Sequence, residues 1–116
     1  MDNVIIITGA GRGIGAATAL AAARAGYRIC INYLADDASA HRVLEQVRAL
    51  GAEAITVRAD VSVEDEIIQL FQRVDKELGR VTALVNNAGL ALGTAPAQQA
   101  SLDDWRTMIE TNGCSR

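Results

Sequence analysis

From residue 8 to residue 15 the chain reads Thr8-Gly9-Ala10-Gly11-Arg12-Gly13-Ile14-Gly15. A glycine cluster lets the backbone turn tightly and approach an anion with no Cβ in the way. An Ala-rich helical stretch follows, so its first N–H groups and positive dipole end would face whatever the loop holds. The chemistry this suits is retention of a phosphate, and the pyrophosphate of a dinucleotide fits best. The plain alternative is a tight turn from strand to helix with no ligand at all. Position favours the dinucleotide: the string follows a buried apolar run, opens a helix and begins an alternating array. No Lys-Ser or Lys-Thr pair follows it, so the phosphate loop of a nucleoside triphosphatase is a poor match.

Four short apolar runs must carry that loop. Val4-Ile5-Ile6-Ile7-Thr8 lacks polar alternation and is expected to be a strand buried on both faces. Arg28-Ile29-Cys30-Ile31-Asn32, Ala54-Ile55-Thr56-Val57 and Ala83-Leu84-Val85-Asn86 are the next three strands. Between them the pattern is helical. Residues 14–24 end at Gly26, and a helix over about residues 37–50 puts Ala40, Leu44, Val47 and Leu50 on one face before Gly51. Ser62 is expected to cap the third helix, with Glu64, Asp65 and Glu66 set favourably against its dipole. Ile67, Phe71, Val74 and Leu78 recur along that helix at helical spacing, and Gly79 closes it. Beyond Pro96, Ser101 would cap a last helix with Leu102, Trp105, Met108 and Ile109 on one face. The strands begin about 24 to 29 residues apart, the spacing of successive strand–helix units. Right-handed crossovers then give an α/β, Rossmann-like, doubly wound parallel sheet of about four strands in the order 3-2-1-4, one domain over residues 1–116.

Composition sets the bounds. Half the residues are apolar, but the aromatics are one Trp, two Tyr and one Phe, so small aliphatic side chains must build the core. Lys and Arg number 11 against 14 acids and form no basic run, which argues against a nucleic-acid surface. Cys30 sits in an apolar strand far from Cys114, so a buried thiol in a reducing compartment is expected rather than a disulfide. The run from Val4 to Ile7 is too short to span a membrane and lacks the charged flank of a signal peptide, which makes the cytoplasm the expected location. No metal-ligand cluster stands out.

Four motifs together carry a resemblance. Thr8-Gly9-x-x-x-Gly13-x-Gly15 is similar to the cofactor motif of the short-chain dehydrogenase/reductase family, and Asn86-Asn87-Ala88-Gly89 to that family's second signature. Asp60-Val61 after strand three and Asn112 on the last helix match two further positions. The resemblance implies that Thr8, Gly9, Gly11, Gly13, Ile14 and Gly15 belong to the phosphate turn. It implies that Asp60 accepts the adenine amino group with Val61 against the base. Asn86, Ala88 and Gly89 would line the riboses, Asn87 would brace the sheet, and Asn112 would join a proton relay. Asp60 could instead cap a local turn before Ser62, and Asn112 could be a helix C-cap. Trp105 and Met108 fit core or interface packing better than substrate contact.

The choice of nicotinamide is read from charge. An acid at the end of strand two would bind the ribose of NAD and repel a 2′-phosphate, but Asn32 and Tyr33 stand there. Arg12, just before Gly13, suits a bidentate phosphate contact, so NADP(H) is expected with NAD(H) as the alternative. The resemblance also implies hydride transfer between nicotinamide and a carbonyl or alcohol, and homo-oligomers. Residues 87–101 resemble members acting on small 3-hydroxy acids; Ile31-Asn32-Tyr33 resembles the glucose dehydrogenase and 3-oxoacyl-carrier-protein reductase branches. The family's catalytic tyrosine, with a lysine four residues on, and its serine have no counterpart here: Tyr27 and Tyr33 lack such a lysine, and Lys76 is the only lysine. The expectation is therefore the cofactor-binding N-terminal half of such an enzyme, inactive alone. The other reading is a dinucleotide-binding module that acts through partners, or a remnant without function.

Overall fold

The computed structural model describes residues 3–11 and 13–87. Arg12, Ala88, Gly89, Pro96, Asn112, Cys114 and the helix expected after Ser101, with Trp105 and Met108, lie outside the described residues.

All five residues of β1 (Val4–Thr8) are buried, as a strand covered on both faces must be. The elements that follow are α1 (Gly13–Arg24), β2 (Arg28–Tyr33), α2 (Asp37–Ala49), β3 (Ala54–Arg58), α3 (Glu64–Glu77) and β4 (Ala83–Asn86). Every strand pair is parallel, and the sheet order is β3-β2-β1-β4. The expected doubly wound, Rossmann-like α/β arrangement is the one found.

Strand alternation sorts the core into two layers. Ile5 and Ile7 of β1 and Ile29 and Ile31 of β2 face α1 and α2, where they meet Ala19, Ala22, Ala23, Val43 and Val47. Val4, Ile6, Cys30 and Val57 face the other way, onto Ile67, Leu70, Phe71 and Val74 of α3 and Leu78 at its C-cap. The alanines of α1 let that helix lie close to the sheet. Phe71 fills the α3 side, where burying such a ring contributes roughly 1.5–3 kcal/mol. Cys30 is a buried free thiol, as its strand position implied.

The two edges of the sheet are built differently. At the edge where the strands begin, Thr82 N–H donates to Val4 C=O at 2.8 Å and Val4 N–H to Thr82 Oγ1 at 3.1 Å. Arg28 closes the same edge, donating from Nη1 to Leu78 C=O at 2.8 Å and lying 3.2 Å from Glu53 through Nε. The edge where the strands end carries the loops into the helices.

Three details correct the sequence reading. Tyr33 and Arg58 pair in register, so β2 and β3 each run one residue further than expected. Leu50 is not on the buried face of α2 but 46 % exposed. It stands at the C-cap, and Gly51 at φ 89° turns the chain away, so the buried stripe is Ala40, Val43, Leu44 and Val47. Ser62 does not cap α3: Val63 holds the cap position with no side-chain bond. The Ser62 hydroxyl and N–H instead both donate to Asp60 Oδ1, at 2.6 and 2.9 Å.

The join from β1 to α1 is fixed by Gly15, which lies buried inside the first turn of α1. A Cβ there would overlap Gly9 C=O and stand 2.7 Å from Ala10 Cα, whereas one on Gly11 would meet nothing nearer than 3.7 Å. Gly15→Ala should therefore lower stability by about 1–3 kcal/mol through overpacking, while Gly11→Ala stays close to the parent. Thermal denaturation of the two variants side by side checks this; equal midpoints would contradict the packing argument.

Candidate functional site

The loop after β1 turns tightly on two glycines. Gly9 at φ 61° and Gly13 at φ 64° hold left-handed conformations that a side chain would strain. Ala10 N–H donates to Asn32 C=O at 3.0 Å, which pins the loop to β2. A side chain at Gly11 would point toward Ser39 and Ala40 in the first turn of α2. No acid occupies the first turn of α1, so the positive end of its dipole is not neutralised from within. Beside the loop, Thr8 Oγ1 donates to Asn86 Oδ1 at 2.9 Å and ties the ends of β1 and β4 together. Sheet order reverses between these two strands, and ligands of open α/β sheets bind in the crevice at such a point.

Asn32 is placed differently from a residue offered to a ribose. It is 2 % exposed, and its Nδ2 donates to Val57 C=O at 3.1 Å and Ala59 C=O at 3.2 Å. Tyr33, next along, is only half-buried, and a hydrogen bond to the Asp37 carboxylate raises its phenol above the ordinary value. Asp36 caps α2, with Ser39 N–H donating to its Oδ1 at 3.0 Å and Ser39 Oγ to its Oδ2 at 2.7 Å. Arg58 Nε donates to Leu34 C=O at 3.1 Å, so a guanidinium also borders this corner.

Asp60 is half-buried and forms the local turn that was its alternative reading. Its two bonds from Ser62 favour the charged form and hold its carboxyl below the usual range. Val61 is half-buried and packs toward the α3 layer. Ile14 is 71 %, Leu34 62 % and Val63 41 % exposed. They follow β1, β2 and β3 respectively, so large apolar side chains line the same edge as the glycine loop.

The structure thus brings Thr8, Gly9, Gly11, Gly13, Ile14, Gly15, Asn32, Tyr33, Asp60, Val61 and Asn86 to one edge of the sheet. Asn87 adjoins Asn86, and its Nδ2 is buried with no hydrogen-bond partner among the described residues. Arg12, Ala88, Gly89 and Asn112 fall outside the described residues. The sequence reading missed Glu66 as a participant: its Oε1 accepts from Asp60 N–H at 2.7 Å. An acid at the third position of a helix is a known capping signal, but that signal points to the cap residue rather than to Asp60. Among the described residues no helix is long and apolar enough to cross a membrane, and no group of three or more His, Cys, Asp or Glu could hold a metal.

Comparison with known proteins agrees with this geometry. The family model described as short chain dehydrogenase matches residues 3–115. A 3-oxoacyl-(acyl-carrier-protein) reductase from Synechocystis is 40 % identical over 110 residues, covering 95 % of this chain and 44 % of the relative. A short chain dehydrogenase from Mycobacterium avium superposes with TM-score 0.69 at 34 % identity, over 73 % of this chain and 32 % of that one. A dehydrogenase from Burkholderia cenocepacia solved with bound NADP gives TM-score 0.70 at 30 % identity, over 73 % and 33 % of the two chains. The chain spans less than half the length of the curated relatives it matches.

Asn32 supplies a direct check on the site. Asn32→Asp replaces the buried donor with an acceptor and sets a carboxylate against two carbonyl groups. Stability should fall by at least ~2 kcal/mol, since each orphaned buried carbonyl costs roughly 1–3 kcal/mol. Urea denaturation measures it; an undiminished midpoint would mean that the amide bonds carry no weight.

Proposed function

The chain belongs to the short chain dehydrogenase family, and from that premise we propose that it is the cofactor-binding part of an NADP(H)-dependent oxidoreductase. The observation that carries the reading is the fit of the glycine loop to a pyrophosphate. Gly9 and Gly13 hold φ values that keep side chains out of the loop, and the space a Cβ on Gly15 would need is filled by the loop's own backbone. The N-terminus of α1 then points N–H groups at the phosphates.

When bound, the nicotinamide ring supplies the hydride exchanged with a carbonyl or alcohol carbon. This chain's residues bind and orient. Gly9, Gly11, Gly13 and Gly15 form the phosphate turn, with Thr8 holding Asn86 beside it. Ile14 offers an apolar surface to the ligand, Asp60 accepts from the adenine amino group, and Val61 borders the base. Asn86, Ala88 and Gly89 line the riboses, Asn87 braces the sheet, and Asn112 belongs to a proton relay. Asn32 serves by bracing the site rather than by touching a ribose, because its amide donates to Val57 and Ala59.

Arg12 and the missing acid at Asn32 support NADP(H). One observation favours NAD(H) as a second reading: the Asp37 carboxylate beside Tyr33 adds negative charge near the end of β2. The Synechocystis relative makes 3-oxoacyl compounds the first substrate class to try. Hydride transfer also needs a group to give or take the hydroxyl proton. No tyrosine followed four residues later by lysine occurs in residues 1–116, so these residues alone should turn over no substrate.

Calorimetry tests the cofactor reading. NADPH should bind more tightly than NADH, and Arg12→Ala should cost about 1.5–3 kcal/mol of NADPH affinity, as for a lost charge-assisted bond, with little effect on NADH. Tighter NADH binding by the parent chain would overturn the preference. In parallel, NADPH oxidation with 3-oxoacyl thioesters should stay at background, and turnover by residues 1–116 would refute the assignment of the chemistry to residues beyond them.

A further inference from the structure

The turn between β3 and α3 closes on Asp60 from three directions. Val63 N–H donates to Asp60 C=O at 3.0 Å, and the two Ser62 bonds converge on Oδ1. The third contact comes from the helix: Glu66 Oε1 accepts from Asp60 N–H at 2.7 Å. Glu66 is the third residue of α3, where an acid ordinarily reaches back to the N–H of the cap residue. Here the cap residue, Val63, has given its N–H to Asp60, so Glu66 reaches three residues further back. Among the described residues, Oδ2 is then the one polar atom of Asp60 without a hydrogen bond.

The anchor behind this contact is set in the core. Ile67, Ile68, Leu70 and Phe71, which follow Glu66 on α3, are all buried. The half-buried Glu66 carboxylate thus ties the Asp60 backbone to a helix whose next turn lies in the core, beside Ala59 and Val61, which pack on the same cluster. We propose that Glu66 is a positioning residue for adenine recognition, fixing the Asp60 backbone so that its carboxylate faces the 6-amino group of the base. The inference rests on the reading of Asp60 given above and adds to it a residue that touches no ligand.

A 6-amino purine donates to a carboxylate, whereas hypoxanthine carries a 6-oxo group that cannot. The two bases also differ at N1, which bears a proton in hypoxanthine and none in adenine, so the share of the NADP⁺ preference over nicotinamide hypoxanthine dinucleotide phosphate that Asp60→Ala removes is the share the carboxylate carries. The parent chain should prefer NADP⁺ by about tenfold, the size of one net hydrogen bond. Glu66→Asp keeps the charge at the start of α3 but is one methylene too short, and should bring the preference down to that of Asp60→Ala. Glu66→Gln presents the same acceptor oxygen and should keep it. A purely structural role would weaken both ligands equally and leave their ratio intact.

Calorimetry on the folded variants, with circular dichroism alongside, decides between these outcomes. A parental ratio in Glu66→Asp, or a lost ratio in folded Glu66→Gln, overturns the proposal. Asp60→Ala separates the two claims. If it keeps the ratio, Asp60 is not at the adenine and both fall; if it lowers the ratio and Glu66→Asp does not, only the role of Glu66 falls.

Discussion

One buried amide organises the edge at which the strands end. Asn32 accepts from Ala10 N–H through its backbone carbonyl and donates through its side chain to Val57 and Ala59. The glycine loop on one side and the approach to Asp60 on the other are therefore referenced to the same residue. A buried amide left without acceptors costs more than the bonds themselves contribute, so the arrangement resists partial disruption. Shape at this edge follows from that constraint: the loop after β1 cannot shift against β2 without breaking the Ala10 bond.

Charge at the same edge is finely divided. The α1 N-terminus is positive and meets no acid in its own first turn. α2 starts with Asp36 and Asp37, one of them spent on capping and the other set beside Tyr33. α3 starts with three acids, of which Glu66 turns back to Asp60. The positive dipole end is thus left unneutralised on one helix of the three, the one that follows the glycines, and the other two helix starts carry acids of their own.

What could be read from the sequence was whatever a residue type decides locally. β1 and β4 match their expected bounds, because uninterrupted apolar runs leave a strand little alternative. The glycine loop was legible because its conformations exclude other residues. Leu50 misled because helical spacing does not say where a helix stops. Ser62 misled because its hydroxyl has two local uses, and Asp60 two residues earlier took it. Asn32 was legible as the absence of an acid, but not as a brace, since its partners lie 25 and 27 residues away, on β3 and just beyond its end. The reach of Glu66 depends on the path of the turn, which residue types alone do not determine.

Cys30 has a consequence of a different kind. Its sulfur lies between the sheet and α3, and burial, the dominant effect on it, pushes the thiol far above the ordinary value. A thiol so held does not react with an alkylating reagent while β2 remains paired on both sides. Modification must wait for β2 or α3 to part from the sheet, so its rate follows the frequency of that opening rather than the chemistry of sulfur. The central strand of this fold thus carries its own clock, and any ligand that closes the sheet more tightly will slow it.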